Sequence, residues 1–209
     1  MGREEDRYLA VERGPEIEIK VKGSRFIGQV LPASDREQAA AGLLQVRRRY
    51  HDATHHCWAR RVGAPGRDST RYDDDGEPPG TAGPPILGAI EGAGVYQALV
   101  VVTRYFGGTK LGSGGLVRAY GEAAREALAA APRRAVWLEQ ALELRCRWED
   151  LGTVEAVLAR EGAWLRGVER EFGDCPRLEV RALRSKAGAL IAALTEATGG
   201  RVRVQAVEE

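Results

Sequence analysis

Apolar and polar residues alternate with a period of two over several short segments of the first half of the chain, and this pattern predicts strands. The stretch EIEIKVKGSRFIGQVL, which begins at Glu16, predicts two strands joined by a tight turn at Gly23-Ser24. HHCWARRV, which begins at His55, predicts a further strand. The β-branched run QALVVVT, which begins at Gln97, predicts a buried strand. We therefore expect a sheet in this half.

Three segments between and after these strands carry apolar residues at helical spacing. Ser34-Asp35, Thr81 and Ser113 are predicted as N-caps, and Pro132 ends the third helix because proline does not continue one. The region from Gly63 to Pro79, rich in glycine, proline and aspartate, is predicted as loop. The predicted helices run from Asp35 to about Tyr50, from Thr81 to Ala93, and from about Gly114 to Ala131.

The pattern after Pro132 changes to one strand, one helix, two strands, one helix and one strand. This βαββαβ order is the split-βαβ, ferredoxin-like arrangement, so the chain is predicted as α+β. We place a boundary near Pro132–Trp137, with one domain over residues 1–134 and another over 138–209. The predicted elements are strand Leu142–Arg147, helix Glu149–Arg160, strands Ala163–Phe172 and Arg177–Leu183, a helix capped by Ser185 and running to Thr198, and strand Arg201–Val207.

Composition narrows the class of protein. Lys and Arg total 31 against 30 Asp and Glu, so net charge alone does not indicate a nucleic-acid binder. The three cysteines, Cys57, Cys146 and Cys175, are widely spaced, which argues against a disulfide framework or a zinc finger. The charged start of the chain predicts no signal peptide, and no apolar run predicts a membrane span. We expect a reduced, cytoplasmic protein.

The stretch TRYFGGTKLGSGGLVRAYG, from Thr103 to Gly121, follows the predicted buried strand and opens a helix. Helix N-termini bind anions, and Lys110, Ser113, Gly114 and Gly115 are candidates for such a site. Neither the P-loop nor the dinucleotide fingerprint matches the glycine spacing here. The alternative is that the glycines serve tight turns and close helix–sheet packing.

Two arginines flank this stretch. Arg104 and Arg118 would form a cationic rim with Lys110, and Tyr105, Phe106 and Tyr120 would offer rings for stacking RNA bases. The alternative for Arg104 is a structural ion pair. For Phe106 and Tyr120 a place in the core is favoured.

The run RYDDDGEPPGTAGPP begins at Arg71 and contains Asp73, Asp74, Asp75 and Glu77. These carboxylates would ligate Mg²⁺ or act as a general base, or they would pair with Arg104 or Arg118 and order the loop. Pairing is favoured, because a carboxylate run alone is weak evidence for a metal. A second cluster, His51, His55, His56 and Cys57, is better explained by a core cysteine on a strand than by a metal. We predict no metal site.

The motifs KGSRFIG, ATHHCWA, DDDGEPPGTAGPPIL and RYFGGTKLGSGGLVRAYG closely resemble the IMPACT/YigZ family over about Lys22 to Ala124. The remainder, from Leu138, is similar to the small C-terminal domain of bacterial members. The resemblance implies an N-terminal domain with the ribosomal-protein-S5-domain-2-like fold. It also implies a ferredoxin-like C-terminal domain similar to the last domain of elongation factor G. Such a pair implies RNA or ribosome binding and translation regulation, with no catalytic activity and no cofactor.

Three functions follow. The first, which we favour, is a non-enzymatic RNA- or ribosome-binding protein in translation, with a translation-associated protein as a further partner and no membrane contact. Its anion site would use Arg104, Lys110, Ser113, Gly114, Gly115 and Arg118. The second is a phosphate- or nucleotide-handling enzyme that uses the same loop with Mg²⁺ on Asp74, Asp75 or Glu77. The third is a protein-interaction module.

Overall fold

The structure, a computed structural model, describes residues 6–207 of the chain. Contacts divide these residues into two units: residues 8–136 form the first, and residues 137–207 with residues 6 and 7 form the second. Both units combine helices with β-sheet, so the α+β class predicted from the sequence is confirmed. The outer ends of the predicted domains, residues 1–5 and 208–209, lie outside the described residues.

The first unit is built on an antiparallel sheet of five strands. Its elements, in chain order, are β1 (Arg7–Val11), β2 (Ile17–Val21), β3 (Ser24–Pro32), α1 (Arg36–Arg49), β4 (His55–Val62), β5 (Ser69–Asp73), α2 (Gly83–Gly92), β6 (Val95–Tyr96), β7 (Ala98–Tyr105), α3 (Ser113–Ala130) and β8 (Arg133–Trp137). The sheet has the order β2-β3-β7-β4-β5. Strand β7 is central and buried from Ala98 to Arg104, as its β-branched run predicted. A smaller sheet has the order β6-β1-β8, and its β1 and β6 are parallel.

The loop predicted over Gly63–Pro79 was wrong for Ser69–Asp73, which forms the edge strand β5. This strand is largely exposed on both faces, so it lacks the apolar alternation that marks a half-buried strand. The short strands β1 and β8 were not predicted either.

Helices cover both faces of the five-stranded sheet. On one face, α2 and α3 pack on each other and on Phe26, Cys57 and Val100. On the other face, α1 packs on Leu99 and Val101. Successive residues of a strand point to opposite faces, so β4 and β7 contribute to both cores.

The caps of the helices differ from the prediction at two of three places. The Asp35 cap of α1 is confirmed, because its carboxylate accepts a hydrogen bond from the Gln38 N–H at 2.7 Å. Thr81 and Ser113 were wrong. The N-cap of α2 is Ala82, and the Thr81 hydroxyl donates to the Pro78 carbonyl instead. The N-cap of α3 is Gly112, whose left-handed φ of 73° turns the chain into the helix at a conformation that favours glycine.

The second unit has the βαββαβ order predicted from the sequence. Its strands are antiparallel and lie in the order β10-β11-β9-β12, with α4 and α5 packed over one face of the sheet. A separate apolar core includes Leu142, Leu144, Val154 and Leu178. The elements are β9 (Glu139–Arg145), α4 (Leu151–Arg160), β10 (Leu165–Phe172), β11 (Pro176–Leu183), α5 (Arg184–Ala197) and β12 (Arg203–Val207).

The predicted Ser185 cap of α5 was wrong. The helix begins one residue earlier, at Arg184, and makes no side-chain cap of its own. The carboxylate of Asp6 takes this role: it accepts hydrogen bonds from the backbone N–H of Ser185 at 2.8 Å and from its hydroxyl at 2.5 Å. A residue from the start of the chain therefore completes the first turn of α5.

All the helices are of moderate length, and α3, with 18 residues, is the longest among residues 6–207. None in this part of the chain combines the length and the apolar character that crossing a bilayer requires.

Candidate anion-binding site at the glycine-rich loop

The glycine-rich loop, residues 106–112, connects the central strand β7 to α3. Its start is held by side chains of neighbouring elements: the Phe106 N–H donates to the Thr54 hydroxyl and the Gly107 N–H to the Ser24 hydroxyl, each at 3.1 Å. At Gly107 a Cβ would lie 1.9 Å from the carbonyl carbon of Gly23. The loop is therefore anchored where two backbones approach more closely than any side chain allows.

The other glycines of the loop and of the first turn of α3 are explained by backbone conformation or packing, with one exception. Gly108 and Gly112 have φ values of 84° and 73°, in the left-handed region. Gly115 packs against Leu111, since a Cβ there would lie 3.0 Å from the Leu111 Cβ. Gly114 is helical and exposed, and apart from the Arg118 guanidinium nothing lies within 4 Å of its Cβ position. Turns and packing thus explain the other four glycines but not Gly114.

The N-terminus of α3 is open to solvent. No side chain caps it, and Ser113 and Gly114 are exposed. The first backbone N–H groups of a helix have no intrahelical acceptor, and the helix dipole makes this end positive. Close packing fixes its direction, because a Cβ at Gly28 of β3 would lie 2.5 Å from the Ala123 carbonyl oxygen of α3. The sheet therefore holds these donors in a defined position.

Lys110 lies in the loop before this helix end and Arg118 in the second turn of the helix, and both are exposed. Neither forms an ion pair with any residue between 6 and 207. The Arg118 guanidinium points back over the first turn, since its Nη1 lies 3.9 Å from the Cβ position of Gly114. Arg118 therefore lies over the backbone donors, and Lys110 is exposed in the loop two residues before the Gly112 N-cap.

Arg104 does not belong to this exposed group. It is 5% exposed, and its Nη1 donates to the Glu77 carboxylate at 2.5 Å. The Tyr120 hydroxyl donates to the same carboxylate oxygen at 2.7 Å. Burial raises the pKa of Tyr120, which keeps this hydroxyl a donor. The structural ion pair, left open as an alternative for Arg104, is the arrangement found.

The acidic run is occupied in ordering its own loop. Asp74 accepts hydrogen bonds from the N–H groups of Gly80, Ala82 and Gly83 at 2.8–2.9 Å, which caps the N-terminus of α2. Burial alone would raise the pKa of Asp74, but these three donors outweigh it and hold the pKa below its ordinary value. The N-terminus of α2 thus holds the chain's own carboxylate, whereas that of α3 holds none.

Asp75 also bonds within the protein. Its carboxylate accepts a hydrogen bond from the backbone N–H of His56 at 2.7 Å and pairs with Arg47 at 2.7 Å. The Cys57 thiol donates to the Asp74 carbonyl at 3.0 Å, and burial raises the pKa of this thiol. Among residues 6–207, no group of three or more His, Cys, Asp or Glu side chains is arranged to hold a metal ion. Of the three predicted carboxylates, Glu77 pairs with Arg104 as expected, Asp75 pairs with Arg47 instead, and Asp74 orders the loop through backbone hydrogen bonds.

The aromatic residues divide differently from the prediction. Tyr120 is fully buried, as expected. The expected core position of Phe106 was wrong: the ring is 48% exposed, because the chain leaves the sheet at this residue. The Arg104 guanidinium lies 5.5 Å from the centre of the Phe106 ring and supports it from the protein side. One flat apolar surface therefore remains beside the loop.

Comparisons with known proteins agree with this architecture. The Impact N-terminal domain matches residues 22–128, a range that contains the whole loop and the acidic run. The chain belongs to the IMPACT family. It is 40% identical over 191 residues to the IMPACT family member in pol 5'region of Thermus thermophilus, covering 88% of this chain and 99% of that one. It is 35% identical over 192 residues to the IMPACT family member YigZ of Escherichia coli, covering 91% and 93%.

The family likeness extends to a solved structure across nearly the whole chain. A crystal structure of a hypothetical protein is 32% identical to this chain, with a TM-score of 0.69, and 98% of each chain is covered. Both units of the IMPACT fold are therefore shared with a solved protein.

Sequence reasoning missed Ser24, and it named Asp74 as a residue that orders its loop without predicting that Asp74 caps α2. The Ser24 hydroxyl accepts a hydrogen bond from the Gly107 N–H of the loop and another from the Arg104 guanidinium at 3.3 Å. The Asp74 carboxylate caps α2 in place of Thr81. The KGSRFIG motif contained the first signal, since its glycine and serine lie at the turn that the loop contacts. No signal along the chain reveals Asp74 as a cap, because its partner helix begins nine residues later.

Proposed function

We propose that this IMPACT family member is a non-enzymatic protein that binds RNA or the ribosome in translation regulation, with the phosphate backbone bound at the N-terminus of α3. One observation carries the proposal: the first N–H groups of α3, at Ser113, Gly114 and Gly115, have no side-chain cap from residues 6–207, and Ser113 and Gly114 are exposed. The Arg118 guanidinium lies over this turn, and Lys110 is exposed in the loop before it. Phosphate contacts from lysine, arginine and helix N-termini position proteins on nucleic acids.

Two further features support RNA over a free anion. The exposed Phe106 ring offers a face on which an unpaired base stacks, next to the proposed backbone site. The site is also an open surface rather than an enclosed pocket, which suits a polymer that continues past it. Arg104 supports the Phe106 ring from within rather than binding the anion itself.

The finer fold assignment belongs to the same proposal. We propose the S5-domain-2-like fold for the first unit and a ferredoxin-like fold for the second, similar to the last domain of elongation factor G. The βαββαβ order and the strand order β10-β11-β9-β12 support the second assignment. A cytoplasmic site of action and a translation-associated protein partner follow from this proposal.

Binding of a fluorescently labelled RNA hairpin, measured by anisotropy over a salt series, tests the site. Lys110→Glu and Arg118→Glu should each weaken binding and reduce the magnitude of the salt slope by about one, since each removes about one phosphate contact. Arg48→Glu is the matched control, because Arg48 is exposed and unpaired on α1, across the sheet.

Co-sedimentation with purified ribosomes identifies the target. The same two charge reversals should reduce the fraction bound, and the control should not. RNA and ribosome binding that ignores both salt and these reversals would contradict the proposal.

A further inference from the structure

A cavity lies on the face of the five-stranded sheet that α1 covers, between α1 and the strands β4 and β5. It encloses about 260 Å³. Its walls combine apolar side chains from the helix with an aromatic ring and two guanidinium groups from the strands. The lining residues are Ala39, Ala40, Leu43, Trp58, Arg60 and Arg71.

Arg60 is the unusual member of this lining. It is 8% exposed, its Nε is buried without a hydrogen-bond partner, and it forms no side-chain hydrogen bond or ion pair with residues 6–207. By contrast, the guanidinium of Arg104 across the sheet has a carboxylate partner at 2.5 Å. A buried charge is costly unless it is paired and hydrogen-bonded. The described residues thus provide a buried cation at this site but no anion that pairs with it.

Further positive charge surrounds Arg60. Arg71 is its direct cross-strand partner, and like charges placed opposite each other destabilise a sheet. Burial lowers the pKa of Arg60, and Arg36 and Arg71 lower it further. Glu37 opposes this, but no ion pair within 4.0 Å joins it to Arg60.

The other carboxylate near this face is also committed elsewhere. Asp73 lies two residues after Arg71 on β5, and its Oδ1 accepts the backbone N–H of Asp75 at 2.7 Å. No described carboxylate therefore neutralises the arginines of the cavity.

The apolar part of the lining indicates what accompanies the anion. Leu43 and Trp58 are half-buried and flank the guanidinium groups, so a ligand that fills the cavity has a flat or apolar group. Paired arginines suit a phosphate dianion, which accepts several N–H donors in a fork geometry. A cavity of this size and an arginine this buried favour a small molecule over a polymer backbone.

We propose that this cavity binds a small phosphomonoester that carries a flat apolar ring, with the phosphate on Arg60 and Arg71 and the ring against Trp58 and Leu43. The site is separate from the glycine-rich loop, because the central sheet lies between them. It adds a metabolite-sized ligand to a protein whose proposed partner is RNA.

Calorimetric titration of the full-length protein with phenyl phosphate tests this proposal, with phenol and benzoate as comparison ligands. Phenyl phosphate should bind at one site, and phenol and benzoate should bind more weakly. Arg60→Met and Arg71→Met should each weaken binding about tenfold or more, since each removes charge-assisted hydrogen bonds. Arg48→Met on α1 removes an equal charge outside the cavity and should leave binding unchanged.

Thermal unfolding of the free variants separates a binding role from a structural one. Arg60→Met should unfold at the same temperature as the parent or higher, because it removes an unpaired buried charge. A lower unfolding temperature with unchanged phenyl phosphate binding would overturn the proposal. Equal affinity for benzoate, or no binding of phenyl phosphate at millimolar concentration, would also overturn it. A third result would also overturn the proposal: the parent does not bind phenyl phosphate, and Arg60→Met loses binding to the RNA hairpin. The cavity would then be part of the RNA-binding surface.

Discussion

Glu77 shows how a single carboxylate of the acidic run holds several elements together. Glu77 is 7% exposed, and it receives the Arg104 guanidinium and the Tyr120 hydroxyl on one oxygen. Each partner comes from a different element, so this one side chain joins the loop before α2 to the central strand and to α3. A buried charge with its partner removed is strongly unfavourable, whereas the intact pair is close to neutral.

Glu77→Ala should lower the free energy of unfolding by about 3–5 kcal/mol, because it leaves Arg104 buried without its counter-charge. Urea denaturation measures this directly. Glu91→Ala on the exposed side of α2 is the matched control and should change stability by no more than about 0.5 kcal/mol. The double variant Glu77→Leu with Arg104→Met should recover part of the lost free energy of unfolding. If Glu77→Ala costs no stability and the double variant recovers none, the pair does not anchor the loop.

Asp74 gives the fold a defined dependence on pH. Its folded-state pKa is lowered, so its contribution is fully present above the unfolded pKa of about 3.9 and is lost as pH falls through the folded value. Asp74→Ala should cost about 1–3 kcal/mol at neutral pH, since three backbone donors lose their acceptor. The difference between variant and parent should shrink as pH falls below about 4, measured by urea denaturation at a series of pH values. A difference that stays constant down to the lowest pH would contradict the capping role.

At the scale of elements, some glycines of the loop and α3 are required by the backbone conformation, whereas Gly114 leaves the helix end open to a ligand. Gly107 is needed where the loop crosses the β2–β3 turn, and Gly112 is needed for the conformation that starts α3. Gly114 lies in the helix itself, where alanine is normally the more stable residue. Its lack of a side chain leaves the first turn accessible to a ligand.

Gly114→Ala should therefore stabilise the fold by about 0.5 kcal/mol and still weaken RNA binding several-fold, because the new methyl group covers the backbone donors. Urea denaturation and RNA anisotropy measure the two effects. Gly88→Ala on α2, which is also exposed with open space at its Cβ, is the matched control that should stabilise without affecting RNA. Unchanged RNA binding in Gly114→Ala would show that the helix end is not the contact.

Gly107→Ala should have the opposite outcome. A Cβ there would overlap the Gly23 and Ser24 backbone at 1.9–2.3 Å, so the loop must move, at a cost of about 1–3 kcal/mol or more. The measurement is again urea denaturation, and a cost near zero would show that the loop adapts freely.

For the whole molecule, the two units have separate apolar cores, and the start of the chain stabilises the second. Asp6 is 2% exposed, and its carboxylate completes the first turn of α5, while its carbonyl accepts the Leu138 N–H at 2.7 Å. The beginning of the sequence therefore contributes to a unit formed mainly by its end.

Asp6→Ala should lower protection from hydrogen exchange in residues 137–207 and leave it unchanged in residues 12–136, because the lost bonds lie in the second unit. Exchange followed by mass spectrometry resolves the two. We expect a loss of about 1–3 kcal/mol for a buried charged cap. Equal loss of protection in both units would contradict this assignment.

Local patterns in the sequence were sufficient to predict the elements whose side chains repeat with a clear period, and its motifs were sufficient to identify the family. The buried run of β7, the helical stripes of α1 and α3 and the βαββαβ order of the second unit all follow from local pattern. The position of the glycine-rich loop between β7 and α3 follows from the same reasoning. The edge strand β5 was missed because its exposed residues carry no periodic apolar signal.

Which charged side chains are available to a ligand depends on packing between distant parts of the chain. Lys110, Arg104 and Arg60 are all cations, yet Lys110 is exposed, Arg104 is buried in an ion pair, and Arg60 is buried without a partner among residues 6–207. Burial and pairing depend on elements far apart in the chain: Glu77 pairs with Arg104 across 27 positions, and no carboxylate of residues 6–207 forms an ion pair with Arg60. The sequence shows which charged groups are present. Packing sets the free energy of each charged group, because the cost of a charge depends on its distance from water and from its counter-charge.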